Sequence, residues 1–189
     1  MEGSDTESTM DDREDLIACR ECGLVFAHYQ GLEDHTCRKK IDSPPMSGEA
    51  LEGILRGTSA VVCCADDLPA YVRDRPKTYV VNTDNCNQEG THWGAFHFPI
   101  SGPPEFFDSL RGTPDTYQHR FRNVLIVNGP QYLFSRCQIQ PEYSETCGLY
   151  CAYYVKMRCQ SIKMADIVND FSSDDLDAND RKLIALFSF

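Results

Sequence analysis

Apolar and polar positions alternate most cleanly over residues 91–98. There His92, Gly94, Phe96 and Phe98 fall on one face, and Trp93, Ala95 and His97 on the other. A period of two predicts a strand. The run Tyr79-Val80-Val81 predicts a second strand, and Phe106-Phe107 a short one ended by Asp108. Helical spacing governs residues 117–128, where Tyr117, Phe121, Val124 and Leu125 share a face and Gly129 stands where a helix stops. Residues 147–158 lack proline and carry Leu149, Tyr150, Tyr153, Tyr154 and Met157 at near-helical spacing. They predict a buried central helix that begins at Cys147. Residues 49–55 read as a short helix, 132–139 as a strand, 141–145 as a loop and 183–189 as a last packing element. From Met46 onward the pattern is that of one mixed domain of class α+β.

Upstream the pattern changes. Residues 1–15 form an acidic tail whose first twelve carry five acids and no base. Such a segment is solvated and disordered. Residues 16–40 hold Cys19, Cys22, Cys37, His28 and His35. Residues 41–48 read as a linker, because Ser43-Pro44-Pro45 stiffens the chain and stops helices. The core domain is expected over 49–189.

Charge narrows the function. The chain has 18 basic and 29 acidic residues, a net charge of −11. A duplex-binding protein shows a basic face instead, so nucleic acid is a weakly supported partner. No apolar run approaches the roughly 20 residues that span a bilayer. No positive region precedes an apolar segment, as a secretory signal would require. The expectation is an intracellular protein of nucleus or cytoplasm, without membrane contact. In a reducing compartment its ten cysteines are expected as ligands, nucleophiles or core residues rather than disulfide partners.

Cys19-x-x-Cys22 is followed by Phe26, Leu32 and, after twelve intervening residues, His35. This is the two-cysteine, two-histidine finger pattern up to its third ligand. A ββα module is expected, with a hairpin carrying the cysteines, a helix from about Gln30 carrying His35, and structural Zn²⁺ at its centre. Cys37 is the expected fourth ligand. It follows His35 too closely to share a helix face, so the helix must unwind there; His28 is the poorer substitute. A core this small could hardly fold without metal. Residues 19–40 carry four bases and three acids, which is little drive toward a duplex. Protein docking or substrate recruitment suits the module at least as well.

A cysteine protease needs a thiolate, a base, a group orienting that base, and oxyanion donors. Cys147 heads a helix, where the dipole favours an anion, and Gly148 leaves room for substrate. Taken alone, Cys147 reads as readily as a buried core thiol, and Cys151 and Cys159 are expected to be that. His92 alone is an ordinary strand histidine, and Asp108 alone a turn former. Asp115 and Glu105 compete with Asp108 for the orienting role. Gln140, seven residues before Cys147, can donate its amide to an oxyanion beside the Cys147 N–H. Cys63, Cys64 and Cys86 carry no assigned role, although Cys86 lies in the loop before His92.

The joint order of these groups carries a resemblance. Val81-Asn82-Thr83, Gly90-Thr91-His92-Trp93, Phe107-Asp108-Ser109-Leu110, the stretch 140–144 and Cys147-Gly148-Leu149-Tyr150-Cys151 together resemble the adenain family, the adenovirus-type processing proteases. Within it they are most similar to versions encoded by Maverick/Polinton-type transposons and related viruses; residues 117–129 also resemble that branch. The family belongs to a larger group with the SUMO-type ubiquitin-like-protein proteases. The likeness spans about residues 50–155.

The resemblance implies a papain-like/adenain-like fold, with a central helix carrying the nucleophile against a small mixed sheet. It implies His92 as base, Asp108 as orienting acid, Cys147 as nucleophile and Gln140 as oxyanion donor. Trp93 would shield the imidazole or line the cleft. Substrates would be viral or element precursor proteins cut at Gly-Gly-like or Gly-X-Gly sites, with no metal in the chemistry. The adenovirus enzyme is basic and is activated by DNA and a disulfide-linked peptide. This chain is acidic, and Gly129 stands near the linking cysteine's place, so that activation is not carried over. An isopeptidase acting on SUMO or another ubiquitin-like modifier is the alternative activity. A non-enzymatic zinc-finger adaptor on a protease fold is the other.

Overall fold

The computed structural model describes residues 45–187 and two short strands nearer the N-terminus, β1 (Ile17–Ala18) and β2 (Val25–Phe26). Contacts divide the chain into units Met1–Lys40 and Ile41–Phe189. In the first unit β1 and β2 pair antiparallel, Ile17 opposite Phe26 and Ala18 opposite Val25. They flank the Cys19-x-x-Cys22 segment in sequence. Cys19, Cys22, His28, His35 and Cys37 lie outside the described residues, as do the acidic tail and residues 41–44 of the expected linker.

The second unit is α+β. Ser47 begins it as an N-cap, its hydroxyl accepting from the Ala50 N–H, and α1 (Gly48–Ile54) follows. Then come β3 (Val61–Cys64), β4 (Lys77–Asn82), β5 (Trp93–Phe98) and β6 (Glu105–Phe107). Two helices, α2 (Pro114–Tyr117) and α3 (His119–Asn128), lead to β7 (Leu133–Phe134). Three more, α4 (Cys147–Cys159), α5 (Met164–Asn169) and α6 (Leu176–Phe187), close the chain. The five strands form one sheet in the order β3-β4-β5-β6-β7. The outer pairs β3–β4 and β6–β7 are parallel, and the inner pairs are antiparallel.

Both faces of the sheet are covered, which is why neighbouring residues of β4 are both apolar and both buried. Val80, Ala95 and Phe107 face α4, which is wrapped on its other sides by Leu51 of α1 and its C-cap Leu55, and by Leu183 and Phe187 of α6. Phe107 stacks on Tyr154 with centroids 4.6 Å apart. Val81, Phe96, Phe98 and Phe106 face the opposite way, against Phe121, Val124 and Leu125 of α3. Each such side chain contributes roughly 2 kcal/mol by leaving water. The expected central helix is thus the packing axis of the domain.

Three expectations change. The helix expected over 117–128 is two helices, because Gln118 is extended (φ −146°, ψ 134°) and its amide donates to the Thr83 carbonyl. The earlier turn starts at Thr113, in a capping box with Thr116 and with Pro114 at N1. The strand expected over 132–139 is confined to Leu133–Phe134. After it, the Ser135 hydroxyl turns to the Asp108 main chain, and the Ile139 N–H goes to Ser109. Cys159, expected in the core, is exposed at the end of α4.

Asp180 ties α6 to the start of α4. It is buried and accepts from the Thr146 and Tyr150 hydroxyls, both at 2.8 Å. Asp180→Ala removes the buried acceptor that the Thr146 and Tyr150 hydroxyls share and should destabilise the protein by about 1–3 kcal/mol in urea titration; a change below about 0.5 kcal/mol would contradict that anchoring role.

Candidate functional site

Sheet register and one helical turn assemble the site. β5 and β6 run antiparallel with Ala95 opposite Phe107. The residue before β5 (His92) and the residue after β6 (Asp108) therefore emerge at the same edge. α4 crosses the sheet with Cys151 donating its thiol to the Trp93 carbonyl at 3.3 Å. Cys147 lies one turn N-terminal on the same helix face. The contact that fixes Cys151 beside Trp93 therefore fixes Cys147 beside His92. Both cysteines are buried. Burial, then the neighbouring Cys147 and Asp108, pushes the Cys151 thiol well up, so it stays a neutral donor.

Asp108 has no solvent exposure. Its Oδ2 meets His92 Nε2 at 2.8 Å and accepts from the Tyr117 hydroxyl at 2.8 Å. Its Oδ1 accepts from the backbone N–H groups of Leu110 (2.7 Å) and Gly112 (3.1 Å). A buried carboxylate needs such partners, and four donors hold this one in a single orientation. The other two acidic candidates are elsewhere. Glu105 is committed to Tyr154 and Arg158. Asp115 is a surface residue near His119 and Arg122.

Burial lowers the affinity of His92 for a proton, but the hydrogen bonds to Asp108 and Cys147 and the electrostatic influence of the two outweigh it. The ring is raised from 6.5 to about 9. At neutral pH it is an imidazolium, with Nε2 on Asp108 and Nδ1 left for Cys147. His97, on β5, moves the other way. Its burial and Arg158 lower it to about 4, and it is engaged with Thr78.

His92 and Cys147 line a cleft of about 800 Å³. Trp93 lines it too, its indole N–H donating to the Met46 carbonyl at 2.9 Å. Gly148 is not bare for a substrate's sake. A Cβ there would lie 2.8 Å from the Met46 Cβ, so the glycine admits the segment ahead of α1. Gln140 is fully buried, and its amide is turned into its own loop. Nε2 donates to the Ser144 carbonyl (2.9 Å) and lies 3.1 Å from its hydroxyl, while Oε1 accepts from Ser109 at 2.5 Å. It pins the loop that delivers Cys147.

Other residues around the site carried no signal in the sequence. Ser135 clasps the Asp108 main chain in both directions. Tyr117, read as a helix-face residue, instead contacts both His92 and Asp108. Cys86 is joined to Cys64 in a disulfide, against the expectation for these cysteines. Its N–H also bonds Asp66. The sulfurs of Cys64 and Cys86 and a carboxylate oxygen of Asp67 lie within 4.8 Å of one another; joined sulfurs are not metal ligands, so disulfide and metal are exclusive states there.

No protein-family model and no curated protein matches the chain.

The raised His92 value has a consequence for stability. A protonated ring stabilises the fold in full below pH 6.5, and the contribution is lost as pH rises through about 9. Unfolding free energy from urea titrations should fall between pH 6.5 and 9, and less steeply in Asp108→Asn. Equal slopes would mean that Asp108 does not hold the proton on His92.

Proposed function

We propose that this chain is a cysteine-type endopeptidase of the adenain kind, acting on precursor proteins. One observation carries the reading: His92, bonded to a fully buried Asp108, faces Cys147 at the first turn of a helix, in a cleft open to substrate. An imidazolium and a helix N-terminus both favour a sulfur anion.

The chemistry follows from these groups. The Cys147 sulfur adds to a peptide carbonyl carbon. The N–H of Cys147, which has no acceptor within its own helix, donates to the oxyanion, and Gln140, its amide held by Ser144, fixes the loop that presents that N–H. His92 passes its proton to the leaving amine as the C–N bond breaks, leaving a thioester. It then takes a proton from water, whose oxygen displaces the sulfur and frees the acid product. Asp108 keeps the ring in one orientation throughout. The reaction draws on no metal. Zn²⁺ belongs to the proposed N-terminal module, with Cys19, Cys22, His35 and Cys37 as its ligands.

The test is cleavage of a peptide library by the full chain, followed by mass spectrometry, with iodoacetamide labelling in parallel. Cys147→Ala should abolish cleavage, and His92→Ala and Asp108→Asn should each slow it by roughly 10²–10⁴-fold. Cys147 should label faster than the other free cysteines at neutral pH. Release of a ubiquitin-like modifier without cleavage of linear peptides would replace endopeptidase by isopeptidase. No cleavage of either, with Cys147 labelling like an ordinary thiol, would sink the enzymatic reading.

A further inference from the structure

Tyr117 touches both partners of the proposed acid–base pair. Its ring stacks on the His92 imidazole, with centroids 5.2 Å apart and planes 23° from parallel. Its hydroxyl donates to the same Asp108 Oδ2 that meets His92 Nε2. The chain is arranged to bring it there. Tyr117 ends α2, and the extended Gln118 fixes the helix break by bonding Thr83, whose own N–H goes to the His92 carbonyl. A second constraint comes from Gly112. A Cβ on Gly112 would lie 2.6 Å from the Tyr117 hydroxyl and 2.7 Å from its ring. Meanwhile the Gly112 N–H donates to Asp108 Oδ1. Only glycine can give Asp108 that bond and leave space for the tyrosine.

We propose that Tyr117 is a positioning residue for catalysis, clamping the imidazole of His92 by its ring and the carboxylate of Asp108 by its hydroxyl, with Gly112 as the space that admits it. This rests on the peptidase reading above. The ring covers one face of the imidazole, so the imidazole cannot swing away from Cys147 and water is kept from the Asp108–His92 bond. The hydroxyl shares Oδ2 with His92 and so moderates the carboxylate's hold on the imidazolium. Burial, with the Asp108 charge beside it and then Cys147 and Cys151, pushes the Tyr117 phenol above its ordinary value. The hydroxyl is therefore a donor at every working pH. Asp108, Cys147 and Cys151 are the titratable groups acting on Tyr117, and Asp108 and Cys147 those acting on His92.

The experiment is carboxymethylation of Cys147 by iodoacetate across pH, on the full chain and on Tyr117→Phe, Tyr117→Leu and Gly112→Ala. Iodoacetate is an anion, so its reaction with the thiolate is assisted by the imidazolium and slows as His92 loses its proton. Tyr117→Phe keeps the stack and frees Oδ2 for His92 alone. Its alkaline limb should move up by roughly half a pH unit or more, with the neutral rate kept. Tyr117→Leu loses the stack, and Gly112→Ala displaces the ring. Both should lower the neutral rate on the order of tenfold. If Tyr117→Leu or Gly112→Ala fails to fold, Tyr117→Phe, which differs only by the hydroxyl, carries the test. Folded variants with wild-type rates and an unmoved limb would overturn the Tyr117 assignment and leave the peptidase reading standing. A wild-type Cys147 no faster than an ordinary thiol, with no alkaline limb, would overturn both.

Discussion

A carboxylate without solvent must be satisfied by the protein alone. Asp108 sits at the end of β6 with no exposed surface, and its four donors come from a strand edge (His92), a turn (Leu110, Gly112) and a helix end (Tyr117). Its own main chain is clasped by Ser135, just past β7. The residues ahead of β5, the turn after β6, the end of α2 and the exit of β7 are therefore all committed by one buried charge. Removing any of these donors leaves part of that charge unpaired, which is how local changes at this edge of the sheet reach the site.

The second constraint is α4. It is apolar nearly all round, because the sheet covers one side and α1, α5 and α6 cover the others. A helix so enclosed has no freedom of register. Its first turn is fixed by the Cys151–Trp93 contact from within, by Asp180 holding Thr146 and Tyr150, and by Gln140 pinning the preceding loop. Cys147 is presented to His92 as a by-product of core packing. In the proposed peptidase, the geometry of attack is therefore built from core contacts rather than from the rim of the cleft.

Much of this was legible in the sequence because the elements that carry it are strongly periodic. The alternation around Trp93–Phe98 and the proline-free run from Cys147 give a strand and a helix at nearly the observed bounds. Asp108, one residue past two phenylalanines, falls where a strand end should place it. What stayed hidden depends on tertiary contacts without a local signature. Tyr117 fits a helical face with Phe121, so periodicity runs through Gln118, and only the Gln118–Thr83 bond shows the break. Gln140 reads as a free donor in a loop, and only the fold shows its amide spent on Ser144. Gly148 reads as an opening for substrate, although Met46 occupies that space. The Cys64–Cys86 pair joins positions 22 residues apart, a spacing with no pattern of its own.

His92 is held as an imidazolium between Asp108 and Cys147. Its midpoint can be read directly by NMR titration of the imidazole Cε1–H, assigned among the five histidines with His92→Gln. The midpoint should lie near 9 in the intact protein and lower in Cys147→Ala, where one of the groups that raises it is gone. A midpoint at or below 6.5, unmoved by Cys147→Ala, would contradict it.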